Sequence, residues 1–450
     1  MKRILMRAAM LPLENLDTFQ IVAENKFGTN AGNMFFPYSL CRTLMTDEEG
    51  QIDSIIDMQH NSQKRIQELN EQYDCFLIPL ANAFRISFSN ELERMTDFIK
   101  KLKIPCIVVG IGLQDSVDAK GNATHEFDEQ AKKFVKAVLD KSAIMGVRGE
   151  ITANYLKHLG FREETDFTII GCPSMFTFGS KLPQVNRREL TSDSMVCVNR
   201  KVKLPKKLHG FLEKCQEEFP NHYFIPQNTF DFRLLYAGLP LDAGKPENKK
   251  VPGNYPKHYL DACFQEDKVR GFVNVPTWLD FLSKATLNFG SRIHGNIAGV
   301  LAGTPSYIFA SDSRILELAE YHRIPHMLAK DIKETTSLSD IYEATDFDTI
   351  HQGHEERFGH YLDFLHKNGV ETVYDGGNVP EKLPFDKKVE ALELEPPVTP
   401  LILQDSEEQM RRREAYFRYL VDRNAELRWE LSDERRKVSK RIIKRLRRFL

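Results

Sequence analysis

Cysteine is scarce in this sequence, and its positions are scattered. Seven cysteines occur in 450 residues, at positions 41, 75, 106, 172, 197, 215 and 263, and none forms a C-x-x-C pair. This pattern argues against a disulfide framework and against a zinc site of paired cysteines. We therefore expect reduced thiols and a cytoplasmic protein.

An excess of charge of one sign and long hydrophobic runs are also absent. The formal net charge is −2, from 62 basic and 64 acidic residues, whereas a nucleic-acid-binding body normally has a basic excess. Apolar runs such as 104–113 are too short to cross a membrane. Arg7 interrupts the first apolar stretch, so we expect no signal peptide.

What the sequence does contain is an alternation of short apolar runs with longer amphipathic runs, which is typical of parallel sheets with crossover helices. The alternation restarts after a polar, proline-containing segment at 179–194, which we interpret as a domain boundary. The predicted strands are 75–79, 105–110, 143–147 and 167–170, then 195–199, 222–225, 286–289 and 306–310. The predicted fold class is α/β, with two Rossmann-like domains facing a cleft where ligands bind at the carboxyl ends of strands.

We predict four regions along the chain. Residues 1–185 form an N-terminal Rossmann-like domain, and residues 194–335 form a C-terminal one. Residues 336–395 form a helical and irregular extension. Residues 400–450 form a charged helical tail, which begins at a capping-box pattern of Ser406 and Gln409.

The tail ends in a basic amphipathic helix. Residues 435–450 carry lysine or arginine at nine of sixteen positions and no acid, and an apolar stripe follows Val438, Ile442, Leu446 and Phe449. This composition favours an anionic membrane surface, with a solvated face or an anionic polymer as alternatives. The preceding residues are also spaced for a short coiled coil: Met410, Phe417, Leu420, Asn424, Leu427 and Leu431.

One stretch, "NFGSRIHGNIAGVLAGTP" at 288–305, places an arginine and a histidine at the start of a helix. Gly290 and Ser291 allow a sharp exit from the strand, and a helix N-terminus favours an anion. Arg292 adds a guanidinium suited to phosphate or carboxylate. His294 adds a side chain suited to proton transfer near neutral pH. A structural interpretation, in which Arg292 pairs with an acid and His294 caps a loop, stays open.

This stretch begins a longer segment, "GSRIHGNIAGVLAGTPSYIFASDSRILELAEYHRIP" at 290–325, that resembles the C-terminal signature of the polysaccharide pyruvyl transferase family. Other segments resemble the family in the same order: "TNAGNMFFPYSL", "DCFLIPLANAFR", "IPCIVVGIGLQ", "GVRGEITANYLKHLG", "GCPSMF" and "VPTWLDFLSKATLNFG". The resemblance covers roughly residues 25–330.

The resemblance implies a GT-B-like fold and transfer of pyruvate from phosphoenolpyruvate to a sugar, as a ketal, in capsule or exopolysaccharide biosynthesis. It implies that Arg292 binds the donor and that His294 is the acid. Ser291 and Gly295 flank this pair and are predicted to bind substrate. The other substrate-binding residues that it implies come from the first domain: Arg148, Asn33, Gly112 and Gln114.

The residue types suit this chemistry. Phosphoenolpyruvate carries a phosphate and a carboxylate, which arginines and a helix N-terminus can bind. An acid must protonate its methylene carbon before a sugar hydroxyl attacks. For Arg148, an ion pair with Glu150 is the alternative interpretation. We expect no cofactor and no metal, with phosphoenolpyruvate as co-substrate.

The resemblance also indicates partners and location. The expected acceptor is a glycan carried on polyprenyl diphosphate, so the enzyme would act in the cytoplasm, at the inner face of the membrane. No nucleic-acid partner is expected. Four histidines invite a metal-site hypothesis, but their spacing is not H-E-x-x-H, and we favour solvated histidines on an amphipathic helix: His351, His354, His360 and His366.

Two other functions remain as alternatives. A GT-B glycosyltransferase would use a nucleotide sugar, with Glu317 or Glu320 as the acid that binds the ribose. A non-catalytic binding module would function through the tail and would tolerate exchange of Arg292 and His294.

Overall fold

The computed structural model describes residues 2–59, 61–240, 255–377 and 379–446. Its elements form two lobes, each built on a parallel sheet. The first-lobe strands are β1 (Ile4–Arg7), β2 (Ile52–Ile55), β3 (Cys75–Pro79), β4 (Cys106–Val109), β5 (Met145–Val147) and β6 (Phe167–Ile169). The first-lobe helices are α1 (Thr18–Ala23), α2 (Phe35–Leu44), α3 (Gln63–Gln72), α4 (Ser89–Lys101), α5 (Asp128–Leu139) and α6 (Glu150–His158).

The first sheet has the strand order β2-β1-β3-β4, and β5 pairs with β6. Every residue of β3 and β4 is buried, as uninterrupted apolar runs require in parallel strands covered on both faces. The sequence analysis missed β1 and β2. Ile4 pairs with Ile52 on one side and with Cys75 on the other, so β1 is an interior strand. Only four residues long, it has too little periodicity to be recognised.

The second lobe repeats this arrangement. Its strands are β7 (Val196–Asn199), β8 (His222–Phe224), β9 (Leu287–Gly290), β10 (Ser306–Ala310) and β11 (His326–Leu328). Its helices are α7 (Lys206–Glu218), α8 (Thr229–Ala237), α9 (Ala262–Gln265), α10 (Val275–Ser283), α11 (Ile293–Leu301) and α12 (Ser313–Tyr321). The strand order is β11-β10-β9-β7-β8, and all neighbours are parallel. The predicted α/β fold class, with two Rossmann-like lobes, is confirmed.

The chain after the second lobe returns to the first lobe. It forms α13 (Leu338–Ala344), α14 (His354–Lys367) and α15 (Pro384–Glu390). The ring of Tyr361 on α14 stacks on Phe176, with centroids 5.0 Å apart. Arg42 on α2 donates two hydrogen bonds of 2.8 Å to the carboxylate of Asp386 on α15. Through these contacts the extension packs on the first lobe.

The lobes also touch directly on the side of the cleft. The main-chain N–H of Ala31 donates to the carbonyl oxygen of Gln227 (2.7 Å). Glu317 on α12 accepts hydrogen bonds from the main-chain N–H (3.0 Å) and the hydroxyl (2.9 Å) of Thr152 on α6. The structure is thus a closed arrangement of the two lobes.

The C-terminal charged helix is present as α16 (Ser406–Leu446). It begins one residue after Asp405, whose Oδ1 accepts from the Glu408 N–H (2.8 Å). The N-terminal cap is therefore Asp405, and the predicted capping role of Ser406 is wrong. Near its start the helix packs on the body through Tyr416, which is 1% exposed. Its later apolar residues, including Leu431, are exposed.

Among the helices that the structure describes, none is both long enough and apolar enough to cross a membrane.

Candidate active site between the lobes

Three strands of the second sheet end beside one another, and the residues that follow them are polar or charged. Arg200 and Lys201 follow β7, Ser291 and Arg292 follow β9, and Ser311 and Asp312 follow β10. We call this set the second-lobe edge. The carboxyl ends of parallel strands are where α/β proteins bind ligands.

A glycine fixes the path of the chain at this edge. Gly290 has φ +147°, and a Cβ there would lie 1.8 Å from the main-chain oxygen of Asn199. The Ser291 N–H donates to that same oxygen (2.9 Å), and the Arg292 N–H donates to Asn199 Oδ1 (2.8 Å). The β7 and β9 ends therefore hold each other so closely that only glycine fits.

Arg292 points its guanidinium at neutral oxygens. Nη2 donates to Asn228 Oδ1 (2.6 Å), and Nε donates to the carbonyl oxygen of Arg200 (3.3 Å). Among the described residues, no carboxylate lies within 4 Å of Arg292, so the alternative of an ion pair with an acid is not seen. Burial lowers the pKa of Arg292, while Tyr255 and Asp231 partly oppose this effect. A partly buried cation without an ion pair can accept an anionic ligand.

The neighbouring cations share a single carboxylate. Asp312 accepts from Lys201 Nζ (2.5 Å) and from Arg314 Nε (3.0 Å) and Nη2 (2.7 Å). Burial would raise the pKa of Asp312, but these bonds and the two positive charges hold it well below its usual value. Burial and the charges of Arg314 and Arg292 lower the pKa of Lys201 to about 8, against the opposing effect of Asp312.

Arg314, the second residue of α12, lies at the centre of this positive charge. Its charge contributes to lowering the pKa of four other cations, which come from both lobes: Arg85, Arg148, Lys201 and Arg292. Mutual repulsion among cations is unfavourable without a counter-charge. Positive charge from both lobes is therefore concentrated around Arg314.

Arg148 is a first-lobe member of the group of cations around Arg314, and it is almost fully buried, at 2% exposure. It follows β5, and its Nε and Nη2 both lie 3.3 Å from the carbonyl oxygen of Gly110. Within the described part of the chain it has no carboxylate within 4 Å, so the alternative of an ion pair with Glu150 is not seen. Burial lowers its pKa, with Cys172 and Glu317 opposing the effect.

His294 lies in the first turn of α11 and is 7% exposed. Its Nε2 is 3.7 Å from Cys172 Sγ, and its ring meets the Phe36 ring edge-on at 4.9 Å. Burial, and next the charge of Arg148, lower its pKa to about 3. At neutral pH the imidazole of this closed form is therefore uncharged. Cys172, predicted to be a buried thiol, is fully buried.

Of the other predicted residues, three lie beside the second-lobe edge or Arg148. Ser291 Oγ accepts from the Lys201 N–H (3.1 Å), and Gly295 packs against Asn199, where a Cβ would lie 2.8 Å from Cγ. A Cβ at Gly112 would lie 2.5 Å from Arg148 Cδ. Gly112 therefore allows close packing of Arg148, Gly295 allows close packing of Asn199, and Ser291 is bonded to the main chain of Lys201.

The remaining two predicted residues lie on the first lobe. Gln114 is exposed and accepts from Arg85 (3.2 Å). Asn33 lines a cavity of about 300 Å³ at the carboxyl end of the first sheet, which we call the first-lobe cavity. Phe36 lines the same cavity and touches His294, whereas His294 and Arg292 do not line it.

Sequence reasoning missed Lys201, Asp312 and Arg314. The signal was available in part, because "SDSR" directly follows the predicted strand 306–310 and "RK" follows the predicted strand 195–199. Nothing in the sequence indicated that these residues lie close together, because this depends on β7, β9 and β10 being neighbours in the sheet.

The four histidines of the possible metal cluster have separate surroundings, and the prediction that they are solvated is wrong for His354, which is 2% exposed. His354 lies 3.0 Å from the carbonyl oxygen of Gly179, His360 lies 2.7 Å from Thr168 Oγ1, and His366 lies 2.7 Å from Asp375. Within the described residues, no group of three or more histidine, cysteine, aspartate or glutamate side chains could hold a metal ion.

Part of the predicted tail lies outside the described residues. The apolar stripe of Val438, Ile442, Leu446 and Phe449 falls where side chains are not described. Of the predicted coiled-coil positions, Met410, Phe417, Leu420, Leu427 and Leu431 are all exposed. Pairing of this helix, like membrane binding, stays a prediction.

The fold and the site define a two-lobed α/β protein in which cations from both lobes gather around Arg314. The family model for polysaccharide pyruvyl transferase matches residues 30–313. Since this match spans more than half of the sequence, the chain belongs to the polysaccharide pyruvyl transferase family.

Similarity to solved structures is more distant. A putative UDP-N-acetylglucosamine 2-epimerase from Listeria monocytogenes is 11% identical, with a TM-score of 0.42 over 85% of this chain and 99% of that one. Anabaena HepE in complex with UDP is 9% identical, with a TM-score of 0.40 over 82% of this chain and 98% of that one. A search of curated protein sequences found no significant match.

Proposed function

We propose that the protein transfers pyruvate from phosphoenolpyruvate to two hydroxyls of a sugar, forming a ketal, in the synthesis of a surface polysaccharide. The observation that carries this proposal is the pair Arg148 and Arg292. They come from opposite lobes, and among the described residues neither has a carboxylate within 4 Å. A donor with both a phosphate and a carboxylate supplies the counter-charges that these cations lack.

The proposed reaction needs one proton at carbon and two new carbon–oxygen bonds. The methylene carbon of phosphoenolpyruvate takes a proton and becomes the methyl group. A sugar hydroxyl then attacks the adjacent carbon, phosphate leaves, and a second hydroxyl closes the ketal. Of the two hydroxyl protons, one returns to the acid that protonated the carbon, and the other leaves with phosphate. The cations stabilise the charge on the leaving phosphate.

His294 is the proposed proton donor, and its state must change when the donor binds. With a pKa of about 3 it is neutral near pH 7. Its pKa is lowered by burial and by the charge of Arg148. An anion beside Arg148 offsets that charge, so donor binding raises the His294 pKa and the protein takes up a proton. The proton is then available only when the substrate is present.

Replacement of His294 by glutamine tests this role. We expect the rate of phosphate release with a glycan acceptor to fall by about 10²–10⁴-fold, the usual contribution of a general acid. Phosphoenolpyruvate should still bind, but without proton uptake, as calorimetry in buffers of different ionisation enthalpy would detect. Mass spectrometry of the glycan would show whether the pyruvate ketal forms.

The matched control is His158→Gln, because His158 is exposed at the end of α6. It should leave turnover unchanged. Unchanged turnover in folded His294→Gln protein would remove His294 from the mechanism.

The two acids considered for the nucleotide-sugar alternative, Glu317 and Glu320, do not belong to the second-lobe edge. Glu317 is 2% exposed and bonded to Thr152, and Glu320 is exposed at the far end of α12. Thermal stabilisation by phosphoenolpyruvate and not by UDP or GDP would favour pyruvyl transfer. The opposite result would favour the glycosyltransferase, and no stabilisation by either would favour a binding module.

The membrane proposal concerns the tail. An acceptor on polyprenyl diphosphate would lie at the inner face of the membrane, and the basic end of α16 would hold the enzyme there. The full chain should bind anionic liposomes, whereas a chain ending at Arg428 should not. Equal liposome binding by both would contradict the proposal.

A further inference from the structure

The first-lobe cavity is lined by positive charge without an acid. Four cations line it: Arg7, Lys26, Arg85 and Arg314. No aspartate or glutamate is among its described lining residues. Arg314 is neutralised by Asp312, and Lys26 lies 3.3 Å from Glu24 on the surface. Arg7 and Arg85 are left as cations without an ion pair to a described residue.

Arg7 has the least satisfied side chain of the four. It is the last residue of the interior strand β1, and its guanidinium makes no hydrogen bond with another described residue. Its Nε is buried, and burial lowers its pKa, with Glu91 partly opposing this. Leaving a charged donor buried and unpaired costs more than an ordinary hydrogen bond returns. Such a group is expected where a ligand supplies the partner.

Arg85 faces the same space from the loop after β3. Among the described residues its Nε is buried without a partner, and its Nη1 donates to the side-chain oxygens of Gln114 and Asn82. Its guanidinium lies 5.5 Å from the centre of the Phe88 ring, which holds it in place. Burial and the charge of Arg314 lower its pKa. Arg85 is therefore held in place beside Arg7, which has no such contact with a described residue.

The rim of the cavity is a strained loop. Asn25 (φ +58°) and Thr29 (φ +79°) both adopt the left-handed conformation, which is rare for a β-branched residue such as threonine. Asn25 Oδ1 accepts from the Thr29 N–H (3.0 Å), and the Asn33 amide donates to the carbonyl oxygens of Phe27 (2.9 Å) and Gly28 (3.1 Å). Strained backbone conformations of this kind are often found at binding sites.

We propose that the first-lobe cavity binds a phosphate group of the acceptor, through Arg7 and Arg85, at a site separate from the one that binds the phosphate of the donor. This inference rests on the proposed function, since it assigns the acceptor to the first lobe. It extends that function by naming the residues that bind a phosphate of the acceptor. Arg314 belongs to both sites and couples them.

Calorimetric titration of the full chain saturated with phosphoenolpyruvate tests this site. The probes are inorganic phosphate, pyrophosphate and glucose 1-phosphate. We expect one probe molecule bound per chain, with the sugar phosphate or pyrophosphate binding more tightly than inorganic phosphate. Arg7→Gln and Arg85→Gln should each weaken binding at least tenfold, the loss expected when a charge-assisted contact to phosphate is removed. Arg3→Gln, at an exposed position beside β1, should not.

The outcomes separate this inference from the proposed function. Loss of probe binding in the presence of phosphoenolpyruvate, or unchanged affinity in Arg85→Gln, would overturn the second site and leave pyruvyl transfer standing. Binding of inorganic phosphate as tight as that of the sugar phosphate would overturn the acceptor assignment. The proposed function would instead be overturned if the chain does not bind phosphoenolpyruvate but still binds the probe through Arg7 and Arg85. If Arg7→Gln does not fold, Arg85→Gln still decides the result.

Discussion

The second-lobe edge and the first-lobe cavity are both cationic, but their charges are supported in different ways. At the second-lobe edge, Lys201 shares Asp312 with Arg314, and Arg292 is fixed by Asn228. In the first-lobe cavity, Arg7 has no such partner among the residues that the structure describes. A framework that holds its cations before the ligand arrives suits the reacting donor, since catalysis depends on fixed geometry. Unpartnered cations suit a group that only needs to be held.

The largest expected effect comes from breaking the second-lobe edge at Gly290. An alanine there would bring Cβ to 1.8 Å from the Asn199 oxygen at φ +147°. Since the atom that the Cβ would meet belongs to the backbone and cannot rotate away, the strands must separate, and we expect a loss of about 3 kcal/mol or more in unfolding free energy. Urea unfolding measures it, together with loss of phosphoenolpyruvate binding.

The matched control is Gly210→Ala, in the exposed part of α7. A Cβ at this position meets nothing within 4 Å, so we expect a gain of up to about 1 kcal/mol from helix propensity. Equal unfolding midpoints for the two variants would show that the second-lobe edge is not rigid.

A smaller effect is expected from Lys201→Met. It removes one cation but leaves Asp312 bonded to Arg314. We expect phosphoenolpyruvate affinity to fall about 10–100-fold, the cost of one charge-assisted contact, with little change in phosphate binding to the first-lobe cavity. Because the Lys201 pKa is about 8, wild-type affinity should decline as pH rises through 8, and the variant should lack this decline.

The control for that measurement is Lys203→Met, at an exposed position two residues further along the chain. If Lys201→Met weakened the binding of phosphate and of phosphoenolpyruvate equally, the two regions would be a single site.

The smallest effect concerns Glu317, which joins the lobes. Burial raises its pKa to about 7, against the opposing effect of Arg148. The folded protein therefore binds more protons than the unfolded chain between the unperturbed pKa of 4.5 and about 7. The stability contributed by protonated Glu317 is present below that range and is lost as pH rises through it.

Replacement by glutamine removes this dependence. Relative to wild type, Glu317→Gln should gain about 1–3 kcal/mol in unfolding free energy from pH 5 to pH 8, while Glu320→Gln, exposed on the same helix, should gain none. Thermal unfolding across this range measures the difference. A constant difference between Glu317→Gln and wild type would show that the lobes are not held by a protonated carboxyl.

Much of the fold was predictable because its strands are short, buried and parallel. The runs at 75–79 and 306–310 match observed strands, since continuous apolar sequence has few other solutions in an α/β chain. The boundaries of α16 and the interior strand β1 were less predictable. A cap depends on one side-chain hydrogen bond, at Asp405, and β1 gains its stability from neighbours on both sides that are distant in sequence.

The candidate site was predictable where local sequence sets the geometry. Arg292 and His294 were identified because they begin a helix directly after a strand, and the family match carried Arg148 with them. Their environment was not predictable. The proximity of Cys172 to His294 and the packing of Phe36 on its ring bring together residues more than a hundred positions apart. The low pKa of His294 depends on that enclosure.

By itself, the sequence determined the alternation of strands and helices, the family, and the arginine and histidine at the start of α11, because each depends on neighbours within a few residues. Only the tertiary structure decided which charges meet. Lys201, Arg292 and Arg314 converge because β7, β9 and β10 lie side by side, and Arg7 faces a cavity because β1 is an interior strand. Electrostatic energy depends on distance in space and on burial, and a linear sequence records neither.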